Sequence, residues 1–316
     1  MKPLSLLLLL LASAFVQAES APTLAHKVVA ADRERGHVLI LNDKGETVWE
    51  YSIQHDAHDL QLLPNGNLLI HLNHTKIVEV TPEKKTVWEY VAKPKMGYRG
   101  AVEVHAFQRL DNGLTMIAET GNQRIIEVDR EGKIIHEIPL TIKNPHPHRD
   151  TRLVRKLDTG NYLVCHEGDG VVREYDPKGK VVWSYALDLA GRPRSGGHGP
   201  EGHGTEVYSA IRLKNGNTLM GGGNNNRVIE VNPKGEIVWS IDQKELPSIT
   251  LAWVTMVQVL PNGNIIISNC HAGANQPQLI EVTREKKVVG TMQDHKRFGN
   301  SLAASQVVVP EGNVLR

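Results

Sequence analysis

The chain has 316 residues, with 36 basic residues against 35 acidic ones and only 5% aromatic residues. This balance argues against a nucleic-acid or membrane-surface partner, because such partners require a basic excess or a basic stripe. The two cysteines, Cys165 and Cys270, are too few for a disulfide framework.

The first 18 residues are predicted to be a secretory signal peptide. Lys2 precedes an apolar run from Leu4 to Leu11, and Val16-Gln17-Ala18 forms a cleavage site. No other stretch approaches the ~20 apolar residues of a membrane-spanning helix. We therefore expect a signal peptide at 1–18 and a single domain at 19–316, in a periplasmic or secreted protein.

A short phrase centred on a glycine turn recurs along the whole remaining chain. Its copies lie about 46 to 56 residues apart, a spacing typical of propellers and solenoids. The turn glycines are Gly66, Gly113, Gly160, Gly216, Gly263 and Gly312.

Each repeat contains four short runs of β-branched and aliphatic residues. In the second repeat these runs are 105–110, 114–118, 124–128 and 133–138, separated by Asn, Gly or Pro turns. This pattern predicts a four-stranded antiparallel meander. Because one meander cannot bury both of its faces, six copies predict an all-β, six-bladed β-propeller.

The two ends of the chain are predicted to share one blade. Three strands open the domain at 27–31, 38–41 and 47–51, and a lone inner strand closes it at 305–309. Together they supply the four strands of the remaining blade.

Four of the five tryptophans fall at fourth strands, so we expect them to pack between blades. These are Trp49, Trp88, Trp183 and Trp239.

The consecutive phrases at 228–233 and 234–240 resemble the pyrroloquinoline-quinone-like (PQQ-like) β-propeller repeat family. The resemblance covers essentially the whole mature chain and implies a propeller. Quinone-dependent dehydrogenases of that family generally use eight blades and often an adjacent cysteine pair. Six repeats and separated cysteines lead us not to expect bound PQQ. The resemblance also includes sugar-processing and sulfuryl-transferring propellers, whose inner strands present histidines to the channel.

Most of the 15 histidines map to one face of the predicted propeller. His58 and His105 begin inner strands at the same phase of adjacent repeats, so both are expected to point into the channel mouth. At that phase the six repeats carry, in order, His58, His105, Arg152, Tyr208, Thr255 and Ala304. This uneven, polar ring indicates a ligand site, and its first four members are the predicted catalytic residues.

A metal site is predicted at His58, His105 and His148. His148 belongs to a loop at 144–150 that two prolines stiffen. Three histidines with an open position suit catalytic zinc, and also manganese or iron. In the alternative interpretation, these histidines bond only to the backbone at the channel mouth.

Further polar residues on this face are predicted to bind substrate. They are Glu119, Arg149, His166, Glu167 and His271. Arg149 and Arg152 suit a carboxylate or sulfate. Alternatively, the two arginines pair with Glu119 or Glu167.

The fourth spacing is lengthened by a Gly/His-rich segment at 191–204. Its glycines suggest mobility, so it is either a lid over the ligand or a disordered linker.

Three functions fit these observations. The favoured one is an exported lyase or hydrolase, assisted by a divalent metal, that acts on an acidic saccharide or another small polar substrate. The alternatives are a ligand- or glycan-binding module without turnover and a protein-interaction scaffold. The uneven polar ring favours the first two.

Overall fold

The computed structural model describes residues 22–54, 57–310 and 314–316. Within these residues, 24 strands form six antiparallel sheets of four strands each. This confirms the all-β, six-bladed propeller. The predicted signal peptide lies outside the described residues. No helix in the described part of the chain is long and apolar enough to cross a membrane.

The strands and the one short helix of the described residues are numbered along the chain. They are β1 (Lys27–Asp32), β2 (His37–Leu41), β3 (Thr47–Ser52), β4 (Leu60–Leu62), β5 (Leu68–Asn73), β6 (Lys76–Val80), β7 (Thr86–Val91), β8 (Glu103–Arg109), β9 (Thr115–Thr120), β10 (Arg124–Val128), β11 (Ile134–Pro139), β12 (Val154–Lys156), β13 (Tyr162–His166), β14 (Val171–Tyr175), β15 (Val181–Ala186), β16 (Ser209–Arg212), β17 (Thr218–Gly221), β18 (Val228–Val231), β19 (Ile237–Ile241), β20 (Trp253–Val259), β21 (Ile265–Cys270), β22 (Leu279–Val282), β23 (Val288–Met292), α1 (His295–Phe298) and β24 (Leu302–Val308).

Blades 1 to 5 follow the chain, each from its inner to its outer strand. Blade 1 is β4–β7, blade 2 is β8–β11, blade 3 is β12–β15, blade 4 is β16–β19 and blade 5 is β20–β23. Blade 6 has the order β24-β1-β2-β3, with Lys27 opposite Val308 in an antiparallel pairing. The predicted sharing of one blade by the two ends of the chain is therefore confirmed.

Apolar clusters hold neighbouring blades together. Between blades 1 and 2, for example, Leu69 and Ile77 pack with Phe107, Ile117 and Ile126, all with no exposed surface. Similar clusters lie at the other blade contacts of the described chain. Each fully buried side chain of this size stabilises the fold by about 1.5–3 kcal/mol relative to an exposed one.

A buried glutamate on the third strand adds a polar link to the next blade. Glu79 of blade 1 accepts a hydrogen bond from Asn67 at 2.7 Å and pairs with Arg109 of blade 2 at 3.0 Å. Equivalent links run from blades 2, 3, 4 and 5 to the following blade: Glu127–Lys156, Glu174–Arg212, Glu230–Arg284 and Glu281–His26. The recurring Asn and Glu of the repeat therefore join blades.

The fourth-strand tryptophans contact the following blade, as predicted. Trp49 donates a hydrogen bond to the carbonyl of Pro82 at 2.9 Å, and Trp183 donates to that of Pro233 at 3.1 Å. Trp239 bonds to Arg284 of blade 5 in the same way.

Candidate functional site

A β-bulge in blade 2 places His105 at the mouth of the channel. Along the β8–β9 pairing, Val104 lies opposite Glu119 and Ala106 lies opposite Ala118, so His105 is the extra residue. A bulge turns the side chain of its extra residue away from the regular pleat, and bulges are common beside active sites.

Three predicted ligands come together above this bulge. The ring centroid of His105 lies 4.3 Å from that of His58 and 5.0 Å from that of His148, and the His58 and His148 centroids are 5.7 Å apart. One nitrogen from each ring lies within 4.8 Å of the others, so the group could hold a metal ion. We call these three residues the histidine triad.

Glu103 supports two members of the triad. Its carboxylate accepts hydrogen bonds from His105 Nε2 at 2.8 Å and from His148 Nδ1 at 2.7 Å. Burial alone would raise the pKa of Glu103, but these two hydrogen bonds hold it below its usual range. A carboxylate that binds the far nitrogen of a metal-ligating histidine is a common orienting contact, and His148 has this arrangement.

Two of the triad imidazoles, His58 and His105, are neutral near pH 7. Burial, followed by the charges of His105 and Arg152, holds the pKa of His58 well below its usual value. Burial and Arg152 lower the pKa of His105 to about 3. His58 Nε2 is buried and has no hydrogen-bond partner among the described residues. A neutral, unpartnered imidazole nitrogen is a suitable ligand for a divalent transition metal.

The other two predicted catalytic residues adjoin the triad. Arg152 Nη1 lies 2.8 Å from His105 Nδ1, and the guanidinium forms an ion pair with Glu167. The Tyr208 hydroxyl lies 3.3 Å from His58 Nδ1, and Arg152 lies over the Tyr208 ring at 5.8 Å. All four residues of the predicted catalytic set are thus in contact across blades 1 to 4.

His58, Arg152 and Tyr208 line one side of an axial cavity of about 90 Å³, together with His148. The opposite side carries Arg33, His198, Trp253 and His271. Two guanidinium groups and several imidazoles around so small a space suit an anionic group.

Three members of the predicted ring do not line this cavity. His105 is fully buried and outside the lining, although it contacts His58 and Arg152. In the last two positions Trp253 and Ala303 line the cavity in place of Thr255 and Ala304. The physical reason is again bulging: Val254 pairs with Asn269 but Val257 pairs with Ile267, and β24 has an extra residue at 303. Each irregularity shifts the phase of the inner strand.

The predicted substrate-binding residues divide into two groups. His271 lines the cavity, and Arg149 and Glu167 line an adjoining hollow. Glu119 and His166 line neither space. Glu119 accepts hydrogen bonds from Tyr90, Asn122 and Arg124, each at 2.6 Å. His166 bonds to Asp150 and Tyr175, each at 2.8 Å. The alternative pairing of arginines is therefore present for Arg152 and Glu167, while Glu119 pairs with Arg124 instead.

The Gly/His-rich segment forms an ordered hairpin above the cavity. Ser195 and His203 pair antiparallel, with N–H···O distances of 2.8 and 2.9 Å. Gln243 of the blade 4–5 connection holds the tip by donating to the carbonyl of Pro200 at 2.8 Å. We call residues 195–203 the hairpin. These contacts at the base and the tip favour an ordered segment over a disordered linker, and its role as a lid stays a prediction.

Gly202→Ala is expected to displace the tip of the hairpin. A Cβ at Gly202 would collide with the carbonyl oxygen of Gly197, whereas a Cβ at Gly196 would meet no atom within 4 Å. The His198 ring contacts that of Trp253 in a tilted arrangement, with the centroids 4.3 Å apart, so its displacement should change the Trp253 fluorescence. We expect a changed emission spectrum in Gly202→Ala, with the melting temperature kept within about 2 °C.

Gly196→Ala is the matched control and should leave the emission unchanged. The same Gly202→Ala change is also made in a Trp253→Phe variant, where the spectral change should disappear because it comes from Trp253. Identical spectra for wild type and Gly202→Ala would contradict the packing described here.

Sequence reasoning missed four residues of the site: Glu103, Arg33, His198 and Trp253. Arg33 directly follows the second strand of blade 6, as His271 follows that of blade 5, so the same rule could have found it. His198 belongs to the Gly/His-rich segment at 191–204, but its position there predicted no individual role. No sequence signal distinguished Glu103 or Trp253 from ordinary strand residues.

Comparisons with known proteins support the architecture. No protein-family model and no curated protein matches the chain, so membership of the PQQ-like repeat family stays a prediction. A protein of unknown function from Bacteroides caccae is 23% identical, with a TM-score of 0.75 over 90% of this chain and 99% of its own.

Two lyase structures share the fold more distantly. A streptogramin B lyase is 14% identical, with a TM-score of 0.55 over 87% of this chain and 85% of its own. A catalytically inactive virginiamycin B lyase variant from Staphylococcus aureus, solved with quinupristin, is 13% identical, with a TM-score of 0.55 over 87% of each chain. At these identities the likeness shows the fold alone.

Proposed function

We propose that the axial cavity is the active site of an exported, metal-assisted lyase that acts on an acidic saccharide or a similar small polar anion. The observation that carries this proposal is the histidine triad, whose three ligand nitrogens lie within 4.8 Å of one another beside Arg152. Zinc, manganese and iron all suit such a ligand set.

His58, His105 and His148 would hold the metal, which when bound polarises a carboxylate of the substrate. Coordination through His105 Nε2 competes with its 2.8 Å contact to Glu103. His105 Nδ1 lies 2.8 Å from the carbonyl oxygen of Thr151, which would accept a hydrogen bond from Nδ1–H when Nε2 binds the metal. The chain therefore offers both tautomers of His105 a partner.

The remaining residues would carry out an elimination. Arg152 and Arg33 bind the substrate carboxylate, which makes the neighbouring C–H bond more acidic. His198 or His271, on the opposite side, removes that proton. The electron pair forms a C=C bond, the C–O bond to the leaving group breaks, and the leaving oxygen takes a proton from Tyr208 or solvent.

Lyase chemistry has a precedent in this fold, because two of its structural neighbours are lyases. This favours elimination over hydrolysis as the first activity to test. The two are separable, since elimination produces an ultraviolet-absorbing unsaturated carboxylate and hydrolysis does not.

The test combines metal binding with turnover. Mature wild-type protein is expected to bind one Zn²⁺ or Mn²⁺ per chain by calorimetry and to release unsaturated product from uronic acid oligosaccharides. Glu103→Gln should weaken metal binding by about 10-fold or more, because Glu103 orients His148 through its Nδ1. His148→Ala should weaken it further and abolish turnover.

His136→Ala is the matched control. His136 lies on the outer strand β11, away from the cavity, and this variant should keep metal binding and turnover. Equal metal affinity in His148→Ala and wild type would remove the metal site. If new reducing ends appear without an increase in ultraviolet absorbance, the activity is that of a hydrolase and the lyase proposal is wrong.

A further inference from the structure

The hairpin forms a bridge over the axial cavity and leaves an opening on each side. On one side, residues 197–201 face 271–273 and Asn300 across a hollow of about 480 Å³, which we call hollow A. On the other, residues 194–198 face Arg149, Glu167 and Asn224 across a hollow of about 290 Å³, which we call hollow B.

The three spaces adjoin one another. The cavity shares His198 and His271 with hollow A, and it shares His198 and Trp253 with hollow B. The His198 ring lies 4.3 Å from that of Trp253 and 5.5 Å from that of His271, so it lies where all three spaces meet. The cavity beside the triad is the smallest of the three. A ligand that filled only this cavity would leave most of the cleft empty.

Hydrogen bonds fix the conformation of the hairpin. The carboxylate of Glu201 fills the inside of the turn and accepts a hydrogen bond from Gly199 N at 3.2 Å. Arg194 fastens the entering arm to Glu206 at 3.0 Å and to Thr205 at 2.9 Å. The glycines of the hairpin allow its turn to pack closely against Glu201. These contacts fix the shape of the hairpin and therefore the openings on both of its sides.

The two hollows differ in charge. In hollow B, Arg194 pairs with Glu206 and Glu167 pairs with Arg152, whereas Arg149 is exposed and has no ion-pair partner among the described residues. Hollow A is lined by glycines, Pro200, Ala272, Asn300, the single acid Glu201 and the two histidines that it shares with the cavity, and none of its described lining residues is a lysine or an arginine. Hollow B therefore suits a second anionic unit, and hollow A suits a neutral or hydroxyl-rich unit.

From this geometry we propose that the ligand is an extended acidic oligosaccharide of at least three units, bound beneath the hairpin with one acidic unit in the cavity and its neighbours in the two hollows. This inference rests on the proposed function for the central unit. It adds that recognition depends on chain length and that Arg149 acts on the longer ligand alone.

The test uses galacturonic acid and its linear trimer as probes, with metal-loaded wild-type protein. Dissociation constants are measured, or KM values where the trimer is turned over. We expect the trimer to bind at least about tenfold more tightly than the monomer. Arg149→Met should weaken trimer binding by about tenfold, the loss of one hydrogen bond to a charged group, and leave monomer binding unchanged.

Lys178→Met is the control, because it removes the same charge from an exposed turn between β14 and β15. It should change neither affinity. Equal binding of monomer and trimer would overturn the extended ligand and leave the proposed central site intact. Binding of neither probe would overturn both. Equal losses for Arg149→Met and Lys178→Met would overturn the role of hollow B.

Discussion

Lowering the pH from 7.5 to 5.5 is expected to reduce the free energy of unfolding of the metal-free protein by several kcal/mol. Four histidines carry this expectation, because each is fully buried or nearly so and has a lowered pKa. They are His58, His71, His105 and His166. Burial is the largest cause in every case, and it lowers the pKa of His105 to about 3 and that of His166 to about 4.

The sign follows from proton uptake. Below pH 6.5 the unfolded chain protonates these imidazoles while the folded protein does not, so the unfolded state gains stability as the pH falls. Each imidazole contributes a slope of up to about 1.4 kcal/mol per pH unit between 6.5 and its folded pKa. Asp32 and Asp150 oppose this trend, because burial raises the pKa of Asp32 to about 6 and also raises that of Asp150.

Urea unfolding at pH 7.5, 6.5 and 5.5, with a chelator present, measures the effect. His105→Asn should reduce the slope by about 1.4 kcal/mol per pH unit, because one of the four groups is removed. Equal unfolding free energies at pH 7.5 and 5.5 would contradict the assignment of neutral, buried imidazoles.

The second large effect is expected from Asp59→Asn, at about 3–5 kcal/mol of destabilisation. Asp59 has no exposed surface and binds both terminal nitrogens of Arg155 across the channel, at 2.7 and 2.9 Å. It also accepts hydrogen bonds from the backbone of Leu60 and Phe107, so it links blades 1, 2 and 3. Removing its charge leaves the Arg155 guanidinium buried and uncompensated.

Glu89→Gln is the comparison variant. Glu89 pairs with Lys76 at 2.7 Å, but its side chain is 53% exposed, so the loss should stay below about 1 kcal/mol. Urea unfolding of both variants at neutral pH gives the two values. Similar losses would show that Asp59 does not hold the three blades together.

The fold could be predicted because its signals repeat. Glycine turns such as Gly66 and Gly113 recur along the sequence. Because the strands between turns are short, few registers are possible between neighbouring strands of a blade. The site depends on exceptions to that regularity. The bulges at His105 and at residue 303 each add one residue to a strand, and nothing in the local sequence marks them.

The sequence could bring the three triad histidines together because two of them share a phase and the third belongs to a proline-stiffened loop. Glu103 and Trp253 could not be found in this way, because their roles come from contacts between blades distant in sequence. Glu103 and His148 are 45 residues apart, yet their side chains lie 2.7 Å apart. The charge, size and spacing of the side chains in the sequence do not predict such contacts, because the contacts form only when the blades come together in the propeller.

The sharing of blade 6 has a consequence for the order of folding. Blades 1 to 5 can each form from one continuous stretch of chain, but β1 gains its inner neighbour only when β24 arrives from the far end. Closing a loop of that length costs about 3 kcal/mol more entropy than closing a hairpin of about ten residues. Until then the backbone edge of β1 is unpaired and open to other chains. Ring closure is thus the step at which folding competes with aggregation.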